Sequence, residues 1–147
     1  SNCLSNKELP IYGDGLNVRD WLYVDDHCRG VFEVLSNGKI GETYNIGGNQ
    51  ELTNIELVKK ICEILDTIKP SKIINSYKEL ITFVKDRPGH DFRYAINTKK
   101  IENKLNFFPI ETIDTGLLKT IKWYLENQDW INDIKKNRYN QERLGKV

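Results

Sequence analysis

The chain has 147 residues and no methionine, and its charge of either sign is nearly cancelled: 22 Lys and Arg stand against 21 Asp and Glu, net +1. With no initiator Met, the sequence reads as cut from something longer, with Ser1 and Asn2 as the scar of a tag. The missing basic excess excludes a counterion-driven nucleic-acid binder, which needs a cationic stripe or patch. The basic residues near the end (Lys135, Lys136, Arg138, Arg143, Lys146) read instead as a solvated stretch, with a flexible tail over 136–147. Apolar runs are only a few residues long, while a membrane span takes about 20. Ser1 to Pro10 has neither the basic n-region nor the apolar h-region of a secretory signal. Cysteine is scarce as well. Cys3, Cys28 and Cys62 are odd in number, contain no C-x-x-C and have no His at zinc spacing, so no metal site is read. Cys28 and Cys62 fall on apolar helix faces, which predicts buried free thiols and suits a reducing, cytoplasmic setting.

Two further absences concern chemistry. Gly13-Asp14-Gly15 runs on to Val18 where a dinucleotide fingerprint needs glycine, Gly47-Gly48 has no partner glycine, and there is no P-loop. No tyrosine is followed four residues later by lysine, the proton-handling pair of short-chain dehydrogenases. A Ser-His-Asp set is not readable either.

What is present is a soluble composition, 39% hydrophobic and 29% charged, with a mean hydropathy of −0.56. At this length one domain buries roughly 70% of the unfolded surface. A βαβ unit takes about 30 residues, so a wound dinucleotide domain would use nearly the whole chain. Strand and helix signals alternate, which predicts a mixed α/β or α+β fold of four or five strands and four helices in a single domain over 1–147. Leu9 to Tyr12 reads as a strand closed by the turn Gly13-Asp14-Gly15. Val18 to Tyr23 is β-prone. Cys28, Val31, Phe32 and Leu35 are spaced as a helix face, with Asp25 as the expected N-cap and Gly38 as the stop. Thr43 to Ile46 reads as a strand. Thr53 and Glu56 form a capping box before Ile55, Val58, Ile61, Cys62 and Leu65. Leu80 to Val84 and Arg93 to Ile96 read as strands. Asn97 or Thr98 is expected to cap a short helix carrying Ile101 and Leu105. A longer helix opens near Thr112 or Asp114 and carries Ile113, Leu117, Ile121 and Leu125, with Trp123, Tyr124 and Trp130 adding bulk.

The loop Asp86 to Asp91 concentrates Arg87 and His90 between carboxylates, around Pro88-Gly89. Such a turn can present Arg87 outward, and the planar guanidinium fork suits a phosphate. The plainer alternative pairs Arg87 with Asp86 or Asp91. Arg19 stands at a strand edge, open to a phosphate or to a surface ion pair with Asp20. Asn54 opens the capped helix, where free N–H groups and the dipole favour anions, or it is an ordinary first-turn residue. His27 reads as structural or solvated. The residues alone thus offer ligand-holding loops and no catalytic set.

Four runs then carry a resemblance: Leu-Pro-Ile-Tyr-Gly-Asp-Gly (9–15), Arg-Asp-Trp-Leu-Tyr-Val-Asp-Asp-His (19–27), Gly-Glu-Thr-Tyr-Asn-Ile-Gly-Gly (41–48) and Asp-Arg-Pro-Gly-His-Asp (86–91). With Arg-Tyr-Ala-Ile-Asn (93–97) and the Trp123-Tyr124 helix, the chain resembles the carboxyl-terminal half of the dTDP-glucose 4,6-dehydratases. These are extended short-chain dehydrogenases of deoxysugar synthesis. The resemblance implies the small substrate-binding lobe without the amino-terminal Rossmann lobe. That missing lobe holds NAD, the Tyr-x-x-x-Lys pair and an acidic pair beside a threonine. In the family, C4 of the glucose is oxidised by hydride transfer to NAD, water leaves across C5 and C6, and the hydride returns at C6.

By the same resemblance Pro10, Ile11 and Tyr12 lie against thymine and deoxyribose, and Arg19 and Arg87 hold the diphosphate. Asn54 bonds in the nucleotide pocket, and Asp86, Pro88, Gly89 and His90 shape the second arginine loop. The chain alone is then expected to bind dTDP-glucose weakly at most, to bind no NAD and to be inactive. An apolar face stripped of its Rossmann partner is expected to drive self-association or to be covered by a rearranged amino-terminal segment. Two other readings stay open: a stand-alone nucleotide-diphosphate-binding or regulatory module, and the same half of a different nucleotide-sugar dehydratase or epimerase.

Overall fold

The computed structural model describes residues 1–137, so the 136–147 tail lies outside the described residues except for Lys136 and Asn137, which close a helix. A 3-10 turn, Cys3–Ser5, precedes β1 (Leu9–Tyr12) and β2 (Val18–Asp20). Next come α1 (Val24–Asn37), β3 (Glu51–Thr53) and α2 (Asn54–Ile68). A 3-10 turn, Tyr77–Leu80, leads into β4 (Ile81–Val84) and β5 (Arg93–Tyr94). Helices α3 (Lys99–Leu105), α4 (Ile113–Glu126) and α5 (Gln128–Asn137) complete the described chain. The fold is the expected mixed α/β one. None of the described helices is long and apolar enough to cross a membrane, and no described group of His, Cys, Asp and Glu is placed to hold a metal.

The strands form two small sheets. β1 pairs with β4 in parallel, Leu9 opposite Ile81 through Tyr12 opposite Val84. β2 is central in the other, antiparallel to β3 (Val18 opposite Thr53) and parallel to β5 (Arg19 opposite Tyr94). Gly15 turns the chain from one sheet to the other. Its φ of +76° is costly for any residue with a Cβ, and a Cβ there would stand 2.7 Å from Ile11 Cγ2 and 2.9 Å from Ile55 Cβ.

α2 is the centre of the core, and its sequence explains why. Thr53 Oγ1 accepts from the Glu56 N–H at 3.2 Å while Glu56 Oε2 accepts from the Thr53 N–H at 2.8 Å. That reciprocal cap satisfies donors that a helix start otherwise leaves open. Cys62 and Leu65 then meet Cys3, Tyr77 and Ile121, with Leu9, Val58, Ile61, Leu117 and Leu125 packed around them. Asp66 ties this helix to the next turn, accepting from Ser76 Oγ at 2.6 Å and from the Tyr77 N–H at 2.9 Å.

α1 is attached differently, by its polar edge. The buried Asp26 carboxylate accepts from the Ile110 and Glu111 N–H groups at 3.0 and 2.8 Å and from Arg29 Nη2 at 2.7 Å. Gly30 lets the helix approach closely, since a Cβ there would stand 2.8 Å from Ile46 Cγ2 and 3.0 Å from Phe107 Cζ. Cys28, expected to be buried on the apolar face, is exposed, because that whole face turns away from the described core. Phe32 is 68% exposed and Leu35 81%.

Other expectations shift locally. The strand expected over Val18–Tyr23 stops at Asp20, and the Tyr23 carbonyl already accepts from the His27 N–H, so Tyr23 is the N-cap and Asp25 lies in the first turn. Thr43–Ile46 forms no strand. The backbone that follows is drawn to Asp20, whose carboxylate accepts from the Gly48 and Gln50 N–H groups at 2.9 and 2.8 Å. The short helix starts after Thr98, but it is the Asn97 side chain that bonds the Lys99 N–H, at 3.0 Å. Trp130 lies on a separate helix, α5, because the chain breaks at Asn127; its ring still meets that of Trp123, with centroids 5.1 Å apart. Cys62 is wholly buried, as expected.

Candidate functional site

Two of the three connections between the two sheets join the same strand ends, and the candidate residues lie on them or next to them; the third passes through α2. β1 and β4 are parallel, so they end together; the Gly13 N–H bonds the Val84 carbonyl at 2.9 Å. From there residues 13–17 lead to β2 and residues 85–92 lead to β5. β2 and β5 are parallel too, and the Val18 N–H reaches the Phe92 carbonyl at 2.7 Å. The two loops are therefore strung side by side between the same pair of sheets.

Arg19 anchors their far end. Its Nη2 donates to the Asp91 carbonyl at 2.9 Å and its Nη1 to the Val18 carbonyl at 2.6 Å, and the guanidinium lies 5.0 Å from the Tyr94 ring centre. It makes no ion pair with Asp20, which is committed to the 48–50 backbone. The Tyr94 hydroxyl donates to Asp91 Oδ2 at 2.5 Å, and that bond, foremost, pushes the phenol pKa up; the charges of Arg19 and Arg87 both pull it down. Arg19 thus stands over the Tyr94 ring. Buried Asn17 adds a link that sequence reasoning missed. Its Nδ2 donates to the Asp91 carbonyl at 3.3 Å, and its own carbonyl accepts from the Asn54 N–H at 3.0 Å.

The near end of the 85–92 loop is closed by Asp86. Its Oδ1 accepts from the Arg87 N–H at 2.8 Å and from His90 Nδ1 at 2.7 Å. These bonds, the one from His90 first, hold the carboxyl below the usual carboxylate range. The His90 ring meets the Tyr12 ring edge-on at 6.4 Å. Pro88 and Gly89 are exposed at the tip. Arg87 is exposed, and its guanidinium enters no hydrogen bond or ion pair with a described residue, though its charge helps to hold the neighbouring Asp86 carboxyl down.

The remaining residues are placed as follows. On β1, Pro10 is exposed, Ile11 is buried and Tyr12 is half-buried. Asn54 is half-buried at the start of α2, but the open N–H groups expected there are taken. The Asn54, Ile55 and Glu56 N–H groups bond the Asn17 carbonyl, the Gly15 carbonyl and Thr53 Oγ1. The helix start therefore cannot serve as an anion cradle, and only the Asn54 side chain is available to a ligand. His27 is exposed on α1, away from these loops. A cavity of about 700 Å³ lined by Leu4, Lys69, Pro70, Tyr77 and Leu125 contains none of the candidate residues.

Residues 1–120 match the family model described as GDP-mannose 4,6 dehydratase. The chain belongs to this family. Among curated members, the dTDP-glucose 4,6-dehydratase of Neisseria meningitidis serogroup B is 50% identical over 146 residues, 98% of this chain and 41% of that protein. One from Escherichia coli is 51% identical over 149 residues, again 41% of its length. The chain thus spans about two fifths of the length of these family relatives. A crystal structure of dTDP-glucose 4,6-dehydratase from Bacillus anthracis, in complex with NAD, matches 88% of this chain and 38% of its own at 47% identity and a TM-score of 0.76. The UDP-glucose 4-epimerase of Thermotoga maritima matches at 27% identity and a TM-score of 0.75, over 86% of this chain and 38% of its own. The family fold is therefore represented here by part of its length.

The residues described here do not fit NAD. Among them no glycine-rich loop opens onto a helix N-terminus, the best-formed helix start is already satisfied by protein carbonyls and Thr53, and the two parallel pairs lie in separate sheets of two and three strands, with no wound sheet.

Proposed function

We propose that this chain supplies the substrate-gripping part of a dTDP-glucose 4,6-dehydratase. That enzyme converts dTDP-glucose to dTDP-4-dehydro-6-deoxyglucose through transient reduction of NAD. The observation that carries the reading is a pair of arginines at opposite ends of the 85–92 loop, Arg19 on β2 bonded to the Asp91 carbonyl and Arg87 with no bond from its guanidinium to a described residue. A diphosphate is the group that two such cations match, because each charge-assisted bond contributes about 1.5–3 kcal/mol. Arg87 meets it with its full set of donors. Arg19 meets it with the N–H groups not spent on the Val18 and Asp91 carbonyls. Pro10, Ile11 and Tyr12 border the base and deoxyribose, Asn54 bonds there through its side chain, and Asp86, Pro88, Gly89 and His90 carry Arg87. The catalytic tyrosine–lysine pair and the NAD site belong to the part of the enzyme that this chain does not span.

On this reading the chain works in the cytoplasm, neither nucleic acid nor membrane is its partner, and the exposed α1 face packs on the Rossmann lobe or on a second copy. Remote grip on the nucleotide positions the sugar for chemistry on that lobe. The test is a calorimetric titration with thymidine diphosphate. Arg87→Ala is expected to weaken binding about tenfold or more, on the order of one lost charge-assisted bond. Unchanged affinity in that variant overturns the reading, as does turnover of dTDP-glucose by the chain alone. The epimerase likeness and the GDP-sugar name of the family model favour one other reading, a different nucleotide sugar. Tighter competition by UDP or GDP than by thymidine diphosphate would select it.

A further inference from the structure

Two of the three free thiols meet. Cys3 sits on the amino-terminal 3-10 turn and Cys62 near the middle of α2, yet they share one buried cluster with Leu65, Tyr77 and Ile121. Cys28 is exposed on α1 and takes no part. The Cys62 S–H donates to the Cys3 sulfur, and that bond, foremost, draws the Cys3 pKa down to about 7 and pushes that of Cys62 up. Thiolate, the form that attacks an oxidant, is therefore concentrated on Cys3. Cys3 is also the one with an edge on solvent, at 6% exposure against none for Cys62. Its turn is built from local bonds, the Ser5, Asn6 and Lys7 N–H groups reaching the Asn2, Cys3 and Asn2 carbonyls. Cys3 can thus close on Cys62 without unpicking a sheet or a long helix.

We propose that Cys3 and Cys62 are an oxidisable pair: Cys3 takes a hydroperoxide, Cys62 resolves the product, and the disulfide locks the amino-terminal turn onto α2. The Cys3 thiolate attacks a peroxide oxygen, the O–O bond breaks, and Cys3 becomes a sulfenic acid as hydroxide leaves. The Cys62 sulfur then displaces the hydroxyl from Cys3. The S–S bond forms, the S–O bond breaks, and the Cys62 proton leaves with that hydroxyl as water. The hydroxide takes up the proton that Cys3 gave to solvent, so two thiols and one hydrogen peroxide yield one disulfide and two waters. The bond closes residues 3–62 into a ring that contains β1, β2, α1 and β3. A ring of that length restricts the unfolded chain strongly. In a reducing compartment it is a transient, redox-sensing bond.

The experiment uses the 147-residue chain carrying Cys28→Ser, which removes the exposed thiol, and adds hydrogen peroxide at neutral pH without denaturant. Peptide mapping by mass spectrometry under non-reducing conditions is expected to find Cys3 joined to Cys62 within one molecule. Thermal unfolding is expected to shift upward by about 5–10 °C, and dithiothreitol to reverse both changes. With Cys62→Ser added, Cys3 is expected to stop at the sulfenic acid, to be labelled by dimedone and to show no upward shift. Because a substitution at a buried position can unfold the chain, the peptide map of the Cys28→Ser protein decides without it. Cys3 recovered as a sulfinic acid beside an unreacted Cys62 thiol overturns the proposal. So does a disulfide found only between molecules, or a pair still reduced at peroxide levels that oxidise Cys28 of the parent. An intramolecular bond that leaves thermal unfolding unchanged overturns the lock.

Discussion

Cys28, Val31, Phe32 and Leu35 on α1 are spaced like Val58, Ile61, Cys62 and Leu65 on α2, at i, i+3, i+4 and i+7. On α2 that face is the core, and Cys62 is wholly buried. On α1 the same pattern faces outward, and the helix is held by Asp26, Gly30 and Arg29 on its other side. Amphipathic periodicity therefore says that a helix has an apolar face and says nothing about which partner covers it. This chain spans two fifths of the length of its relatives, and among the described residues nothing covers the α1 face.

The sharpest way to break this comparison is truncation at matched positions. Leu65→Ala is expected to destabilise by about 2–5 kcal/mol through transfer and cavity terms, and Leu35→Ala by no more than about 0.5 kcal/mol. Urea unfolding of both variants measures this. Equal losses would mean that the α1 face is buried in solution.

Asp26→Asn tests whether α1 hangs by its polar edge, with an expected cost of about 1–3 kcal/mol at neutral pH. Burial pushes the Asp26 carboxyl up, but Arg29 and the Glu111 and Ile110 N–H groups outweigh it and leave the folded pKa below the ordinary value. A group lowered in the folded state stabilises above its unfolded pKa, about 3.9, and loses that contribution as pH falls through the folded value. The stability gap between parent and Asp26→Asn should therefore narrow below about pH 4.

Thr53→Ala removes the α2 capping box and is expected to cost about 1 kcal/mol in thermal or urea unfolding. α1 has no equivalent to lose, because Tyr23 at its N-cap makes no side-chain cap bond. The smallest stability effect is expected for Phe32→Glu, within about 0.5 kcal/mol of the parent. That variant is informative in light scattering instead: the parent is expected to self-associate through α1 and Phe32→Glu to stay monomeric. A parent that is monomeric at every concentration rules out a second copy on that face.

Legibility followed locality. The α2 cap and core face were readable because every interaction that starts that helix lies within a few residues. The Asp86–Asp91 loop was readable as a unit, since Pro88-Gly89 and its charged flanks lie together. Asn17 and Tyr94 were missed because their roles depend on two loops crossing between sheets, a juxtaposition of residues more than 70 apart in sequence. The strand expected at Thr43–Ile46 failed for the same reason, since the distant Asp20 carboxylate claims the backbone just after it. The open helix start expected at Asn54 is instead closed by the carbonyls of Gly15 and Asn17, a contact from a loop distant in sequence.

The amino-acid sequence by itself determined the absences, the capped helix, the mixed fold and the arginine-bearing loop, because composition and short-range bonding decide these. Only the tertiary structure decided that Arg19 is partly committed to carbonyls while Arg87 is not, that the His90 side chain is covered and bonded to Asp86, and that α1 shows its apolar face. Each of those turns on which distant groups meet across the two sheets, and long-range contacts of that kind leave no periodic trace in a chain.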